Sequence, residues 1–445
     1  MPEHGKSRRH FDVSAWADDQ RRLRRFLWAN AWLLIIGAGF VLRTFGWLSA
    51  RSFWLDESML FVNVEGASPW NLIGPLKQEQ VVPPGFLMTL RATWAVFGAA
   101  VTPLRLTPYL ASTCAFLAFA FWARASFPKS AAMIIAALMA FNADALYYAQ
   151  EMKPYAFDLL TTVILIVLLD QRPTSESRYA LQWRGAVAGV LVVSPWFSVA
   201  SVFPCAAFLA TYSTISRKLR DRIGTDVAIA FAWGTSFLAA WSVERSQVIE
   251  ESVLWNFWDF AFLKPLRPVD SLCVLADNFV NPLHWMTSLS TGWLMLLWTI
   301  VLLGVLGSGA KAAFRTNRAV AVFGVSTTAL VALASIFRFY PFHGRTILFL
   351  SPFFQIALGL GLSRIAAPRH AFRSLIVCVL LIVPMSAGLW VRPFSNSRLI
   401  SFDGDLEFDH FTPRYGVLKR INTGPSTNGS LRRESSDAIG GRREK

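Results

Sequence analysis

The stretch LWANAWLLIIGAGFVL (Leu27–Leu42) carries no charged residue and is followed at once by RTFGWLSARSFWLDES (Arg43–Ser58). A hydrocarbon core of about 30 Å is crossed by about 20 mostly apolar helical residues, so Leu27–Leu42 with its flanks reads as a membrane span. The same texture recurs at Leu106–Ala123, Ser130–Ala143, Leu159–Leu169, Gly185–Ser216, Val227–Val243, Asn278–Ala310, Ala319–Phe337, Thr346–Ser363 and Ser374–Val391. Over the 445 residues, 54% are apolar and only 16% are charged, well below the roughly 25% charged of an ordinary soluble chain. Soluble multidomain enzymes, repeat solenoids and disulfide scaffolds are excluded. The chain reads as an all-α polytopic membrane protein.

The net charge of +15 would suggest nucleic acid in a soluble protein. Here it falls between the apolar stretches, where Lys and Arg orient spans and meet anionic headgroups, and no nucleic-acid partner is expected. Lys6, Arg8, Arg9, Arg21, Arg22, Arg24 and Arg25 place residues 1–26 in the cytoplasm. Basic residues between later stretches (Arg124 and Lys129; Arg172, Arg178 and Arg184; Arg217 to Arg222; Lys311 to Arg318; Arg364 to Arg373) belong there too. That alternation holds only if PPGFLMTLRATWAVFG (Pro83–Gly98) does not cross. Arg91 at its middle argues against crossing, and Pro83–Pro84 set a helix start, so it reads as an interfacial or half-inserted helix. At 1.5 Å per residue, Gly185–Ser216 as one helix would run about 48 Å. Pro195 and Pro204 break it, and two short helices keep the charge pattern. The expectation is a transmembrane domain over residues 27–391 with about eleven spans. Outer loops fall at about 49–103, 147–155, 244–291 and 338–345. A polar extracytoplasmic tail, residues 392–445, should be disordered from about Thr423.

Three groups on the expected outer face could carry chemistry. Asp56 and Glu57 follow the first span, held against the interface by Trp54, Leu55, Met59 and Leu60. A carboxylate there can take a proton from an alcohol or amine, and Asp56 reads equally as a cap on a helix start. In YYAQEMKPYAFD (Tyr147–Asp158), Glu151, Lys153 and Asp158 lie at the mouth of two spans. They could serve a substrate or form a tolerated local ion pair, and Pro154 interrupts the helix that would align Glu151 with Asp158. In RFYPFHGR (Arg338–Arg345), Arg338 and Arg345 suit a phosphate by charge and fork geometry, or anchor to lipid headgroups. His343 fits a hydrogen-bonding role better than a metal-binding one. The four cysteines are scattered and no metal motif occurs. No metal site is assigned and no cofactor is required, although paired acids could take a divalent ion. Together the groups suggest chemistry on a phosphorylated lipid at the outer leaflet.

The order of WLDES, PPGFLMTLRATWAVFG followed by LRLTPYLAS, then YYAQEMKPYAFDLL and YPFHGRTILFLSPF resembles the GT-C membrane glycosyltransferases. It most resembles the glycosyltransferase family 39 type related to protein O-mannosyltransferases and the lipid A aminoarabinose transferase, over about residues 25–395. The resemblance implies a GT-C-like bundle, a catalytic Asp in the first outer loop (here Asp56), and a polyprenyl-phosphate sugar donor. The acceptor would be a lipid, glycan or protein, at the extracytoplasmic side of a bacterial cell membrane. The chain departs from the pattern before Pro83–Pro84, where EQVV stands in place of the His or Lys of relatives, leaving Glu79 a weak candidate. It also lacks a WWD-type motif, so en bloc oligosaccharide transfer is not expected. The rival class is a transporter or flippase for a lipid-linked or amphipathic anion, but transporter sites usually lie at the bilayer midplane, whereas these acids concentrate in loops.

Overall fold

The computed structural model describes residues 13–49, 53–173, 177–215, 223–248, 255–279 and 292–365. The expected last span (374–391), the tail (392–445) and much of the 244–291 loop lie outside the described residues. The described α-helices are α1 (Val13–Leu48), α2 (Leu55–Val64), α3 (Pro84–Phe97), α4 (Val101–Leu104), α5 (Leu106–Ser126), α6 (Lys129–Ala140), α7 (Ala143–Tyr147) and α8 (Tyr155–Asp170). They continue as α9 (Ala180–Val193), α10 (Val202–Ile215), α11 (Ile223–Gln247), α12 (Pro268–Phe279), α13 (Gly292–Thr316), α14 (Arg318–Ile336) and α15 (Ser351–Ile365). Among the described residues there is no strand.

Five helical segments are long and apolar enough to cross a membrane: Asn30–Leu48, Leu106–Ser126, Gly224–Gln247, Arg318–Ile336 and Gly344–Ile365. A sixth forms if α6 and the Ala143–Gln150 segment, bent by 48°, count as one. This is a multi-pass membrane protein. The expected total of eleven would also need α13, the stretch 374–391 outside the described residues, and three short helices, α8, α9 and α10, of 16, 14 and 14 residues. Such helices are about 21–24 Å long, short of the hydrocarbon core.

Helix α5 packs on α6 and α8, α10 on α14, and α15 on α6 and α13. Phe116, Phe119, Phe208 and Phe323 are fully buried at the centre. Lipid tails are as apolar as Leu, so helices associate by close approach of small residues. At α13–α15, a Cβ on Gly309 would lie 1.7 Å from the Ala357 carbonyl oxygen, and one on Gly361 2.3 Å from that of Val305. Only glycine fits either position.

Arg43, just past the uncharged stretch, does not point to water. It is buried against the Phe116 ring and donates to Gly39 O, Met139 O at 3.1 Å, Ala140 O and Ser112 Oγ. Met139 and Ala140 end α6, where helix carbonyls lack intrahelical partners, and a cation there also meets the negative end of the helix dipole. Arg43 thus holds the bend between α6 and α7.

The Gly185–Ser216 stretch is two helices, as the prolines suggest. The break consists of 3₁₀ turns at Ser194–Trp196 and Val199–Ser201. Helix α3 begins where Pro83–Pro84 place it and ends at Gly98, whose φ of 65° favours glycine. It docks on the break through Gly85, where a Cβ would come within 2.6 Å of Trp196 O. Arg91 turns back to the Ala67 carbonyl and lies over the Trp94 ring. Phe86, Leu87 and Leu90 join Leu60 and Val64 of α2 in a second core, which carries the start of α2.

Candidate functional site

The start of α2 has a division of labour between its two acids. Trp54 is the extended N-cap residue (φ −75°, ψ 161°), and the Glu57 carboxylate reaches back to accept its backbone N–H at 3.0 Å. This satisfies one of the helix's orphan donors. Glu57 also accepts from Arg105 Nε (2.8 Å) and Nη2 (2.7 Å) and from Met152 N–H (2.7 Å). One buried carboxylate therefore ties α2 to the entrance of α5 and to the loop that carries Glu151 and Lys153.

Asp56, one residue earlier, points elsewhere. It accepts from Arg345 Nη1, and the two side chains are each 22% exposed. Arg345 follows Gly344 (φ 46°) in the 3₁₀ segment Gly344–Leu350. Its guanidinium lies over the rings of Trp258 (5.4 Å) and Tyr155 (5.6 Å). Lys153, buried nearby, donates to Gln80 Oε1 at 2.8 Å. Gln80 reaches it because the two preceding residues, Gln78 (φ 62°) and Glu79 (φ 49°), turn through the left-handed region. Non-glycine residues rarely adopt that conformation, and it concentrates at functional sites. Glu151 receives Tyr147 Oη at 3.4 Å.

Burial by itself would raise the Asp56 carboxyl, but the charges of Arg345 and Lys153 and the Arg345 hydrogen bond outweigh it and hold the group below the ordinary carboxylate range. Burial lowers Lys153, opposed chiefly by the charge of Asp56. The quartet Asp56, Glu151, Lys153 and Arg345 balances two acids against two cations. An incoming anion could take over the cations and release Asp56.

Four sequence candidates therefore meet, and four do not join them. Glu57 is buried as a strut between elements. Arg338 (φ 60°) turns away and donates to Asp259 Oδ1 at 2.6 Å, with its side chain 55% exposed. Asp259 also accepts from Lys264 at 2.7 Å. The His343 ring stands edge-on to Phe260 at 5.1 Å. Asp158 sits in the first turn of α8, because that helix begins at Tyr155, just past Pro154, and Glu151 stays outside it. The sequence reading missed Gln80, Arg105, Tyr155 and Trp258. Gln80 lies in the EQVV departure beside Glu79, and it is Gln80 that makes the contact. Among the described residues, no three His, Cys, Asp or Glu side chains converge as a metal-holding group.

The bundle shares its fold with a solved membrane protein. ArnT from Cupriavidus metallidurans, in the apo state, aligns at a TM-score of 0.51 and 14% identity, over 79% of this chain and 63% of that one. The same protein bound to undecaprenyl phosphate aligns at 0.49 and 15% identity, over 78% and 63%. An oligosaccharyltransferase from Archaeoglobus fulgidus, in complex with Zn and sulfate, aligns at 0.49 and 14% identity, over 82% and 53%. The chain thus spans between 53% and 63% of the length of these structures. No family model and no curated protein sequence matches it.

Proposed function

We propose that this protein is a membrane glycosyltransferase that moves a single sugar from a polyprenyl-phosphate donor to an acceptor at the extracytoplasmic face. The observation that carries the reading is the meeting of Asp56, Lys153 and Arg345, drawn from three stretches far apart in sequence, in a partly exposed site. The GT-C fold and the order of sequence motifs support it.

The donor phosphate takes the Arg345 fork and the Lys153 ammonium. Asp56, relieved of Arg345, accepts the proton of an acceptor hydroxyl as its oxygen attacks the anomeric carbon. The carbon–oxygen bond to phosphate breaks on the opposite side, its electron pair stays on the phosphate oxygen, and the configuration inverts. Preorganised cations stabilise the charge that grows on the leaving phosphate.

The test is mass spectrometry of envelope lipids and glycans from cells with and without the gene. One sugar-bearing species should disappear without it and return on complementation, and identical profiles would refute the reading. Reporters inserted at Trp70 and Arg178 should lie on opposite faces of the membrane. If both report one face, the extracytoplasmic assignment fails.

A further inference from the structure

Arg338, which turns away from the Asp56 site, lines a cavity of about 360 Å³ together with Asp259, Lys264, Leu266, Arg267 and Ile336. Pockets that hold small molecules measure roughly 300–1,000 Å³. Asp259 accepts from Lys264 Nζ at 2.7 Å and from Arg338 Nη2 at 2.6 Å. Arg267 stands 3.9 Å from Asp270 Oδ2, beyond hydrogen-bond length, with its side chain 75% exposed. Three cations thus face two acids, and one positive charge is left over.

Backbone contacts hold the cations in place. Leu263 N–H donates to Ser335 Oγ at 2.9 Å, which ties the segment to the last turn of α14. Lys264 N–H donates to Ser271 Oγ at 2.7 Å, and Arg267 N–H to Lys264 O at 2.9 Å. These two bonds close the turn that carries Lys264 and Arg267 onto α12.

The surroundings of the cavity belong to a membrane surface. Helix α14 is long and apolar enough to span, and its last residue, Ile336, lines the cavity. Phe337 and Phe339, just beyond it, are exposed. Leu266 (98% exposed), Val269 and Leu272 recur every three residues and also face outward. Yet Val274 and Leu275 of the same helix already pack into a core with Val331 and Phe342. An outward stripe of Leu and Phe beside basic residues suits the boundary between headgroups and acyl chains.

We infer that this cavity binds the headgroup of an anionic phospholipid. Lys264 and Arg338 pass from Asp259 to the phosphate oxygens, and Arg267 joins them. The acyl chains run along Leu266, Val269 and Phe337. A phosphodiester carries one negative charge, which matches the charge left over in the cavity. A glycerol headgroup leaves that charge uncancelled, and a choline cancels it. The inference needs the membrane but not the transfer reading.

The experiment titrates the purified full chain in detergent and counts bound lipids by native mass spectrometry. The probes are phosphatidylglycerol and phosphatidylcholine, with inorganic phosphate and glycerol phosphate as competitors. The wild type should favour phosphatidylglycerol. The double variant Lys264→Ala, Arg267→Ala should lower its affinity roughly tenfold, at a few-fold per basic residue beside an anionic headgroup. Lys311→Ala with Arg315→Ala removes the same charge from the end of α13 and should lower it much less. Asp259→Asn removes the competing acid and should raise the affinity, a gain that misfolding does not produce. Equal binding of phosphatidylcholine, an equal loss in the Lys311 and Arg315 variant, or no gain in Asp259→Asn overturns the site. Displacement of the lipid by equimolar inorganic phosphate or glycerol phosphate would make it a site for free anions and overturn the lipid as its occupant.

Discussion

Two ion pairs leave the first turn of α2 from adjacent residues, and they have opposite characters. Glu57 and Arg105 are 0% and 1% exposed at their side chains, and the Glu57 carboxylate also takes two backbone N–H groups. It has nothing left to offer a ligand. Asp56 and Arg345 are each 22% exposed, and Asp56 holds its partner by one Arg345 nitrogen. A buried, fully satisfied pair fixes the relative placement of its elements. A partly exposed pair can exchange partners, which is what a group that receives a proton must do. Sequence adjacency therefore separates function here, because neighbouring helical residues project about 100° apart.

The largest effect expected from this contrast is on catalysis. Asp56→Asn keeps the shape and removes the proposed base, so transfer should fall by roughly 10²–10⁴-fold while melting in detergent stays near that of the wild type. Near-normal transfer by a well-folded variant would end the assignment of Asp56.

Glu57→Gln should act on the fold instead. It leaves Arg105 buried without its counter-charge, and breaking such a pair costs about 3–5 kcal/mol, seen as a lower melting temperature and poor yield. Loss of transfer at an unchanged melting temperature would mean that Glu57 reacts, and the contrast would collapse.

Arg345→Ala should weaken donor use roughly tenfold or more, from the loss of a charge-assisted contact of about 1.5–3 kcal/mol. Arg338→Ala breaks an exposed pair with Asp259, of the kind that contributes about 0–1 kcal/mol, and a cation–π contact with Phe262, and should change donor use little. Equal effects at both positions would return Arg345 to lipid anchoring.

The smallest effect is a shift along the pH axis. The Asp56 carboxyl lies below its unfolded value because Arg345 and Lys153 outweigh burial. It therefore stays ionised below the ordinary carboxylate range. The stability it contributes is present above the unfolded value and is lost as pH falls through the lowered folded one. Residual transfer by Arg345→Ala, followed against pH, should show its acid limb at higher pH than the wild type. A limb that does not move would mean that Arg345 does not set the basicity of Asp56.

Much of the fold could be read along the chain. Pro83–Pro84 mark the start of α3, Pro154 separates Glu151 from α8, and the break at 194–201 falls where Pro195 removes a donor. These are local effects of backbone chemistry, which acts over a few residues wherever the chain runs. The site was legible as residue types and not as partners. Asp56, Glu151, Lys153 and Arg345 stood out as charges beside apolar stretches. Arg338 stood out equally, and only the turn at its positive φ sends it to Asp259.

By itself the sequence determined that the chain is a membrane bundle, because the apolar stretches must leave water and their helices must satisfy their own backbone groups. It also determined which charges lie near the ends of those helices. Only the tertiary structure decided which charges meet. Arg345 comes to Asp56 across 289 positions and Arg105 to Glu57 across 48. No local pattern encodes such pairs, since they are selected by how the helices pack: by a glycine that admits a carbonyl, by a broken helix that receives another, and by an arginine that holds a bend.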